Sequence, residues 1–535
     1  TGLKYKLPIL SPVDEGGLFT DEAPGYTGQQ VFQANPRIVE DLRKSGVLAH
    51  HEEFTHPYPC CWRCKQPVIF RATEQWFVLV DHAGGRQAAL DAVKKTRWFP
   101  AWGETRISSM LQKRPDWCVS RQRSWGVPIP AFYCASCRQP HLNPATFEAV
   151  KALFARGGAD AWFTTDAKDI LPPGTKCGCG GTTFEKEQDI FDVWFESAAS
   201  HRAVAMKHPD LAFPSDLYLE GTDQHRGWFQ VSLLASVLSN GRTPFKDVVT
   251  HGFLMDARTG EKQSKSGQFK PIPVDEVVQK IGSELMRLWI ASIDFTDDIP
   301  LSWEILKERA EPYRKIRNTF RYLLGNLFDF DPKKDRAADL LEIDRWAAAE
   351  LAALVRRVTK HYEAYEFFRV YQEIYQFCVV RMSALYFDTL KDRLYTSGRT
   401  SRERRSAQTV LHDTLVALVK MLAPILSHTT EEVWGYLPAR ETDSVHLALW
   451  PSPQEGDPDP KWDRIWKVRA EVYRELEKLR GAGTIGKSLE ARVTVHSADP
   501  ETLKALRSLD LSEAFIVSEA VVSDRPEGAE AADLK

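Results

Sequence analysis

The tightest constraint on the fold is a change of period near residue 305. Between 216 and 305, strand-like and helix-like segments alternate. DLYLEG (216–221) reads as a short strand ending at glycine, and HRGWFQVSLLASVLSNG (225–241) as a helix closed by glycine. VVTHGFLMD (248–256) reads as a second strand, and VDEVVQKIGSELMRLWIAS (274–292) as mostly helix. That βαβ rhythm predicts a parallel sheet. From 307 to 480 apolar residues recur every 3–4 positions, which predicts long helices over about 311–328, 343–361, 365–394 and 405–422. Such helices pack as an antiparallel bundle. Residues 481–535 return to mixed α/β, with VTVHSAD as a strand, ETLKALRSL as a short helix, and an end, RPEGAEAADLK, that reads as disordered or cut. The expected fold class is therefore multidomain α/β plus all-α.

Ahead of this, residues 1–57 are rich in Pro and Gly and read as loops with short strands, plus one amphipathic helix over 38–49 stopped by Gly46. Residues 58–133 carry six tryptophans (62, 76, 98, 102, 117, 125) among short β-like runs. At 535 residues, about three or four domains are expected. With 43% hydrophobic and 27% charged residues the composition excludes a collagen or a disordered tail, and no run of about 18 apolar residues exists to span a bilayer. Seventy basic against 73 acidic residues leave a net charge of −3, so any nucleic-acid contact must come from local patches. Residue 1 is Thr, and TGLKYKLPILSPVDEGG is no signal peptide. The opening reads like the middle of a domain, so the expectation is a piece of a longer, cytoplasmic chain.

Nine cysteines, an odd number, argue against a disulfide framework. Cys134 and Cys137 form C-x2-C, and Cys177 and Cys179 form C-x-C, in KCGCGG. Two short cysteine turns can offer four thiolates to a tetrahedral Zn2+, and Gly178, Gly180 and Gly181 permit a tight knuckle. A pair of reduced surface turns is the alternative. Cys61 and Cys64 form another C-x2-C with no second pair, either half a metal site or a turn. Cys118 and Cys378 read as packing residues.

Three segments carry chemistry. LEGTDQHRGWF (219–229) lies where a strand ends and a helix opens, the place where parallel sheets bind ligands. There Glu220, Asp223 and Gln224 would converge on a polar ligand, and the helix start favours an anion. A capped helix with Thr222 or Asp223 as N-cap, His225 and Arg226 being solvated, is the plainer reading. GEKQSKSGQ (260–268) brackets small polar residues with two lysines, which can meet phosphate, although a solvated basic turn is the commoner reading of such a loop. DVWFESAASH (192–201) offers Trp194 to a hydrophobic pocket or to the core.

Together RPDWCVSRQRSWGVPIP (114–130), CWRCKQPVIFRATEQWF (61–77), EGTDQHRGWF (220–229) and KQSKS (262–266) resemble the class I aminoacyl-tRNA synthetases, nearest to their isoleucine-specific branch. The resemblance covers nearly the whole chain, in order. It implies half of a Rossmann-like catalytic domain with a zinc insert (58–305, insert 134–180), preceded by the tail of an editing domain (1–57). A helical-bundle anticodon-binding domain (306–480) and the start of a C-terminal α/β module (481–535) would follow. It implies activation of L-isoleucine by ATP with Mg2+, and transfer to tRNA(Ile), by a monomer. KQSKS resembles the KMSKS loop, with Lys265 and Lys262 as its phosphate-binding, catalytic lysines. Glu220, Gly221, Asp223, Gln224 and His251 resemble the adenylate-binding set, and Trp194 and Trp228 the pair flanking the amino-acid side chain. Cys134, Cys137, Cys177 and Cys179 resemble a structural zinc site, and Cys61 with Cys64 half of another. Basic runs at 309–321 and 391–405 would meet tRNA phosphates.

The sequence departs from the family pattern at Gln263 in place of methionine, and at Glu196, Ala198 and Ala199 in the DVWFDSG-like segment. No His-x-Gly-His occurs. The chain by itself is therefore expected to show little adenylation. Two other readings are a non-catalytic tRNA-binding module of synthetase descent and a valine- or leucine-specific relative.

Overall fold

The computed structural model describes residues 2–8, 10–61, 64–263, 272–452 and 455–526. Two compact units emerge, one of residues 1–92, 110–211 and 230–244, the other of 93–109, 212–229 and 245–535.

In the first unit the N-terminal helix runs Val31–Lys44, earlier than the sequence suggests, and ends before Gly46 at φ +73°. Pro36 lies inside it and hides its first turns from a reading by propensity. Gln30 caps it by accepting from the Gln33 amide at 3.0 Å. Strand Phe132–Cys134 pairs antiparallel with Pro140–His141 on one side and Phe184–Lys186 on the other. Phe132, Val150, Trp162, Ile170 and Phe184 form a small core behind these strands. Helix Pro144–Gly157 opens on a reciprocal Asn143–Thr146 capping box. A second cluster gathers Trp117, Val119, Ala198 and Val231, with Trp76 and Phe195 packed against it. Glu187, one residue past the last strand of the insert, accepts from the Trp76 indole at 2.7 Å and the Tyr133 hydroxyl at 2.9 Å.

The second unit holds the parallel sheet. β1 (Arg97–Phe99), β2 (Ser215–Gly221) and β3 (Phe245–His251) lie in the order β1-β3-β2, all parallel, with Gly221 beside His251 at the C-terminal edge. The expected single strand over 248–256 is in fact two. It breaks after His251, and β4 (Leu254–Asp256) pairs instead with β5 (Ile299–Leu301). The break is steric: a Cβ on Gly252 would sit 2.1 Å from the Asp297 carbonyl oxygen. The expected helix over 274–292 is also two, Val274–Ile281 and Ser283–Ala291, split by Gly282 at φ +90°.

The bundle follows: α1 (Ala310–Asn326), α2 (Glu342–Glu363), α3 (Phe367–Gln376), α4 (Arg402–Leu422) and α5 (Lys461–Gly481). After α3 the chain continues in wide π-helical turns over Phe377–Tyr386. One continuous core, including Phe320, Trp346, Tyr386, Leu415 and Trp462, extends to Phe515. Cys378 is fully buried in it, as expected. Strands Arg492–Val495 and Glu519–Val522 pair parallel in the final module.

Two struts join sheet and bundle. Arg97 forks onto the buried Asp247 of β3, which also accepts from the Tyr365 hydroxyl at 3.3 Å. Glu284 caps the helix Ser427–Gly435 by accepting the His428 amide at 2.7 Å, while Arg287 donates to the carbonyl oxygens of Ile425 and Pro424.

Candidate functional site

The C-terminal edge of β2 and β3 is where the sequence places the ligand. Gly221 ends β2 with no room for a side chain, since a Cβ would lie 3.0 Å from Asp223 Oδ1 and 3.1 Å from the Phe253 ring. Glu220 and Asp223 are exposed there. Residues Thr222–His225 form a single 3-10 turn. The following helix starts at Trp228, and its cap is Gln224, whose Oε1 accepts the Trp228 amide at 2.8 Å, rather than Thr222 or Asp223. His251 donates from Nδ1 to the Gly252 carbonyl at 2.7 Å, which fixes its ring at the end of β3.

His225 is not solvated. It is fully buried between Trp98, Trp102 and Phe229, with ring centroids 5.4–6.1 Å away. Nδ1 donates to the Thr222 carbonyl at 3.1 Å, and among the described residues Nε2 has no partner. Burial pushes its pKa below the ordinary 6.5. The sequence offered no sign of this, because the two indoles that enclose it come from a segment more than a hundred residues away.

Of the lysine loop, Lys262 and Gln263 are described. Lys265 lies outside the described residues. Lys262 bridges Met255 of β4, and the Gln263 amide donates to the Leu254 carbonyl at 3.0 Å. The Gln263 Oε1, where the family pattern has a methionine, is buried and unpartnered among the described residues. Trp228 stacks on Tyr218 with centroids 4.0 Å apart and planes at 4°. Trp194 belongs to the other unit and is 41% exposed rather than set in the core.

The four cysteines converge. Cys134, Cys137, Cys177 and Cys179 place their sulfurs within 4.8 Å of one another, with the 134–179 and 137–177 pairs at 3.6 Å. A tetrahedron of Zn–S bonds of about 2.3 Å has edges of about 3.8 Å, so the set fits zinc. Backbone amides of Cys137 and Ser136 lower the Cys134 thiol to about 6. The Gln139 amide favours the Cys137 thiolate, but the neighbouring thiols of Cys179 and Cys177 drive it up to about 12. Thiolates this close repel, and a divalent cation resolves the repulsion. Of the three glycines, Gly180 alone takes a positive φ, +89°, while Gly181 is required for space, a Cβ there lying 2.9 Å from Cys134 Sγ. The Cys61 amide donates to the Gln66 carbonyl and the Cys61 carbonyl accepts from the Lys65 amide, both at 2.8 Å. Among the described residues no further ligand joins Cys61 and Cys64. Cys118 is half-buried and donates toward Gln75.

On α1, Arg314, Arg317, Asn318 and Arg321 are exposed at spacing i, i+3, i+4, i+7, forming one polar, basic stripe. Arg314 pairs with Glu311, and among the described residues Arg317 and Arg321 have no carboxylate partner. Beside the stripe a cavity of about 400 Å³ opens against the π-helical turns, with Lys315, Asn318, Ser383 and Lys391 in its wall. The run 391–405 is different. Arg393, Arg404 and Arg405 are turned inward onto Asp344, Asp329 and Asp335, so half of the run's six basic side chains are structural and are not offered to phosphates.

The model of the class I tRNA synthetases (I, L, M and V) matches residues 23–302, and that of the anticodon-binding domain of tRNA ligases matches 344–495. The chain is a class I tRNA synthetase by family. The synthetase match contains the sheet, the cysteine cluster and Lys262, while α1 falls between the two family matches. Named relatives agree with the family. An isoleucine–tRNA ligase of Caldanaerobacter subterraneus subsp. tengcongensis is 50% identical over 98% of this chain, and that of Moorella thermoacetica 47% identical over all of it. The chain spans 57% and 58% of the lengths of these two relatives. Among solved structures, methionyl-tRNA synthetase of Mycobacterium tuberculosis bound by methionyl-adenylate superposes with a TM-score of 0.51 at 16% identity, covering 75% of this chain and 71% of that one. That likeness establishes the synthetase fold. No helix among the described residues is long and apolar enough to cross a membrane.

Proposed function

We propose that this synthetase chain works in isoleucine–tRNA ligation. The carrying observation is that Gly221 and His251 lie side by side at the C-terminal edge of a parallel sheet, with the Phe253 ring standing between Gly221 and the Lys262 ammonium, in a chain half identical to isoleucine–tRNA ligases. In this reading the α-carboxylate of isoleucine attacks the α-phosphorus of ATP and pyrophosphate leaves. The resulting adenylate then acylates the terminal adenosine of tRNA(Ile). Mg2+ arrives with the ATP and screens its phosphates.

The residues have separable tasks. Gly221 lets a ligand approach the end of β2, where Glu220 and Asp223 offer carboxylates to amino or hydroxyl groups. Gln224 accepts the helix cap on its carbonyl and donates from its amide to Asp223 Oδ2 at 3.2 Å, which orients that carboxylate. His251 closes the far side of the same edge. Lys262 and Lys265 supply positive charge to the departing pyrophosphate, the kind of stabilisation that matters most where charge develops. Trp228, stacked on Tyr218, supplies aromatic surface for the aliphatic side chain. Such a pocket separates substrates differing by one methylene by only about 1–3 kcal/mol, a limit for which isoleucine enzymes are themselves the standard example. Cys134, Cys137, Cys177 and Cys179 would hold a zinc ion, and a set of four thiolates would give it a structural role.

The α1 stripe and its neighbouring cavity support RNA binding. Guanidiniums without carboxylate partners are available to phosphates, and RNA loops present unstacked bases to pockets of this kind. Charging of a tRNA(Ile) transcript with labelled isoleucine by the whole polypeptide that carries this chain tests the reading. No acid-precipitable label on the tRNA, or charging with another amino acid instead, overturns it.

A further inference from the structure

We propose that Phe253 is a positioning residue, whose ring holds the Lys262 ammonium at the sheet edge for the pyrophosphate end of the nucleotide. The inference rests on the reading of the lysine loop as phosphate-binding. The Phe253 backbone is fixed on both sides. Its own amide donates to Asp298 Oδ1 at 2.8 Å, and its carbonyl accepts from the Ile299 amide at 2.8 Å. Gly252 before it is locked against the 297–298 backbone. The ring edge lies against Gly221, where even a methyl group would stand 3.1 Å away.

Lys262 meets the other side of this ring. Its backbone is held by the bridge to Met255, by the Gln263–Leu254 bond, and by the Asp256 amide bonded to the Glu261 carbonyl at 2.8 Å. Its side chain is exposed, and its Nζ stands 3.2 Å from the Phe253 centroid. Among the described residues no carboxylate pairs with it. A carboxylate partner would compete with phosphate for the ammonium. An aromatic face attracts the cation without neutralising it and removes part of the rotamer freedom that gripping a phosphate would otherwise cost. Phe253 therefore prepares the lysine while leaving its charge available.

The test uses the chain itself, lysine-labelled for NMR, with inorganic pyrophosphate as the probe. The Lys262 ε-methylene, assigned through Lys262→Arg, should be shifted upfield by the ring and should move saturably with pyrophosphate. Phe253→Leu should abolish the upfield shift and weaken pyrophosphate about two- to fivefold. Phe253→Tyr should keep both. Pentafluorophenylalanine at 253 retains the shape with the ring polarity reversed, so it should weaken binding as leucine does even if the leucine variant fails to fold. If Lys262→Ala weakens binding while the leucine and pentafluoro variants match the wild type, the positioning role is overturned and the loop reading stands. If Lys262→Ala changes nothing, or no saturable shift occurs, both fall.

Discussion

Arg393 donates from Nη1 to Asp344 Oδ2 at 2.9 Å in the centre of the helical bundle, where Asp344 is fully buried. The same guanidinium forks onto Glu513 of the final module, and Asp344 also accepts from Tyr386 at 2.6 Å and from Ser406. One carboxylate thus ties α2, the π-helical turns, α4 and, through Arg393, the module after residue 490.

Removing one partner of such a pair strands the other. Asp344→Ala should cost about 3–5 kcal/mol of unfolding free energy, read by urea denaturation. The double substitution Asp344→Leu with Arg393→Met should recover much of that loss, because the buried pair leaves together and Glu513, its side chain 39% exposed, is left to water. A double variant as unstable as the single one would show that shape, not charge, governs this site.

The cysteine cluster predicts one zinc per chain by elemental analysis, lost in Cys134→Ser and in Cys177→Ser. The zinc-free chain should lose the order of the insert first. Its small core has few residues to hold it, and Cys134 is itself one of them. Cys61→Ser and Cys64→Ser should leave the count at one, since no other ligand gathers near them among the described residues.

His225 gives a signed pH dependence. Its folded pKa lies below the ordinary 6.5 because burial disfavours the imidazolium. The unfolded chain therefore takes up a proton first as pH falls. The stability linked to this neutral ring is complete above pH 6.5 and is lost as pH falls from there through the folded pKa. His225→Phe should flatten the decline of denaturation midpoint over that range. His201, also lowered by burial, should leave a residual slope.

Arg317→Ala and Arg321→Ala should weaken tRNA binding by the chain and reduce the slope of log K against log salt by about 0.7–0.9 each, measured by filter binding at several ionic strengths. Arg404→Ala should instead destabilise the fold, because that guanidinium is buried on Asp329. Equal salt slopes for all three variants would remove the stripe from the RNA surface.

Much of the architecture was legible because period carries it: the alternation before 305, the long helices after it, and two cysteine turns with the spacing of a zinc knuckle. What the sequence concealed were events set by distant atoms. The strand at 248–256 breaks because the backbone at 297 occupies the space beside Gly252. The helix at 31 begins ahead of Pro36 despite its missing donor. His225 is buried by two indoles contributed from residues 98 and 102, and Arg393, Arg404 and Arg405 turn inward onto acids of α2 and the 329–335 loop. Charge runs report composition, and only packing decides which guanidiniums face solvent. Phe253 carried no signal at all, since a phenylalanine after a strand is ordinarily core.

The most direct test of the central claim is amino-acid-dependent ATP–pyrophosphate exchange by the whole polypeptide that carries this chain. The account predicts exchange driven by isoleucine, a weaker rate with valine, and a sharp loss in Lys262→Ala. Exchange driven equally by leucine or methionine, or none with isoleucine, would contradict it.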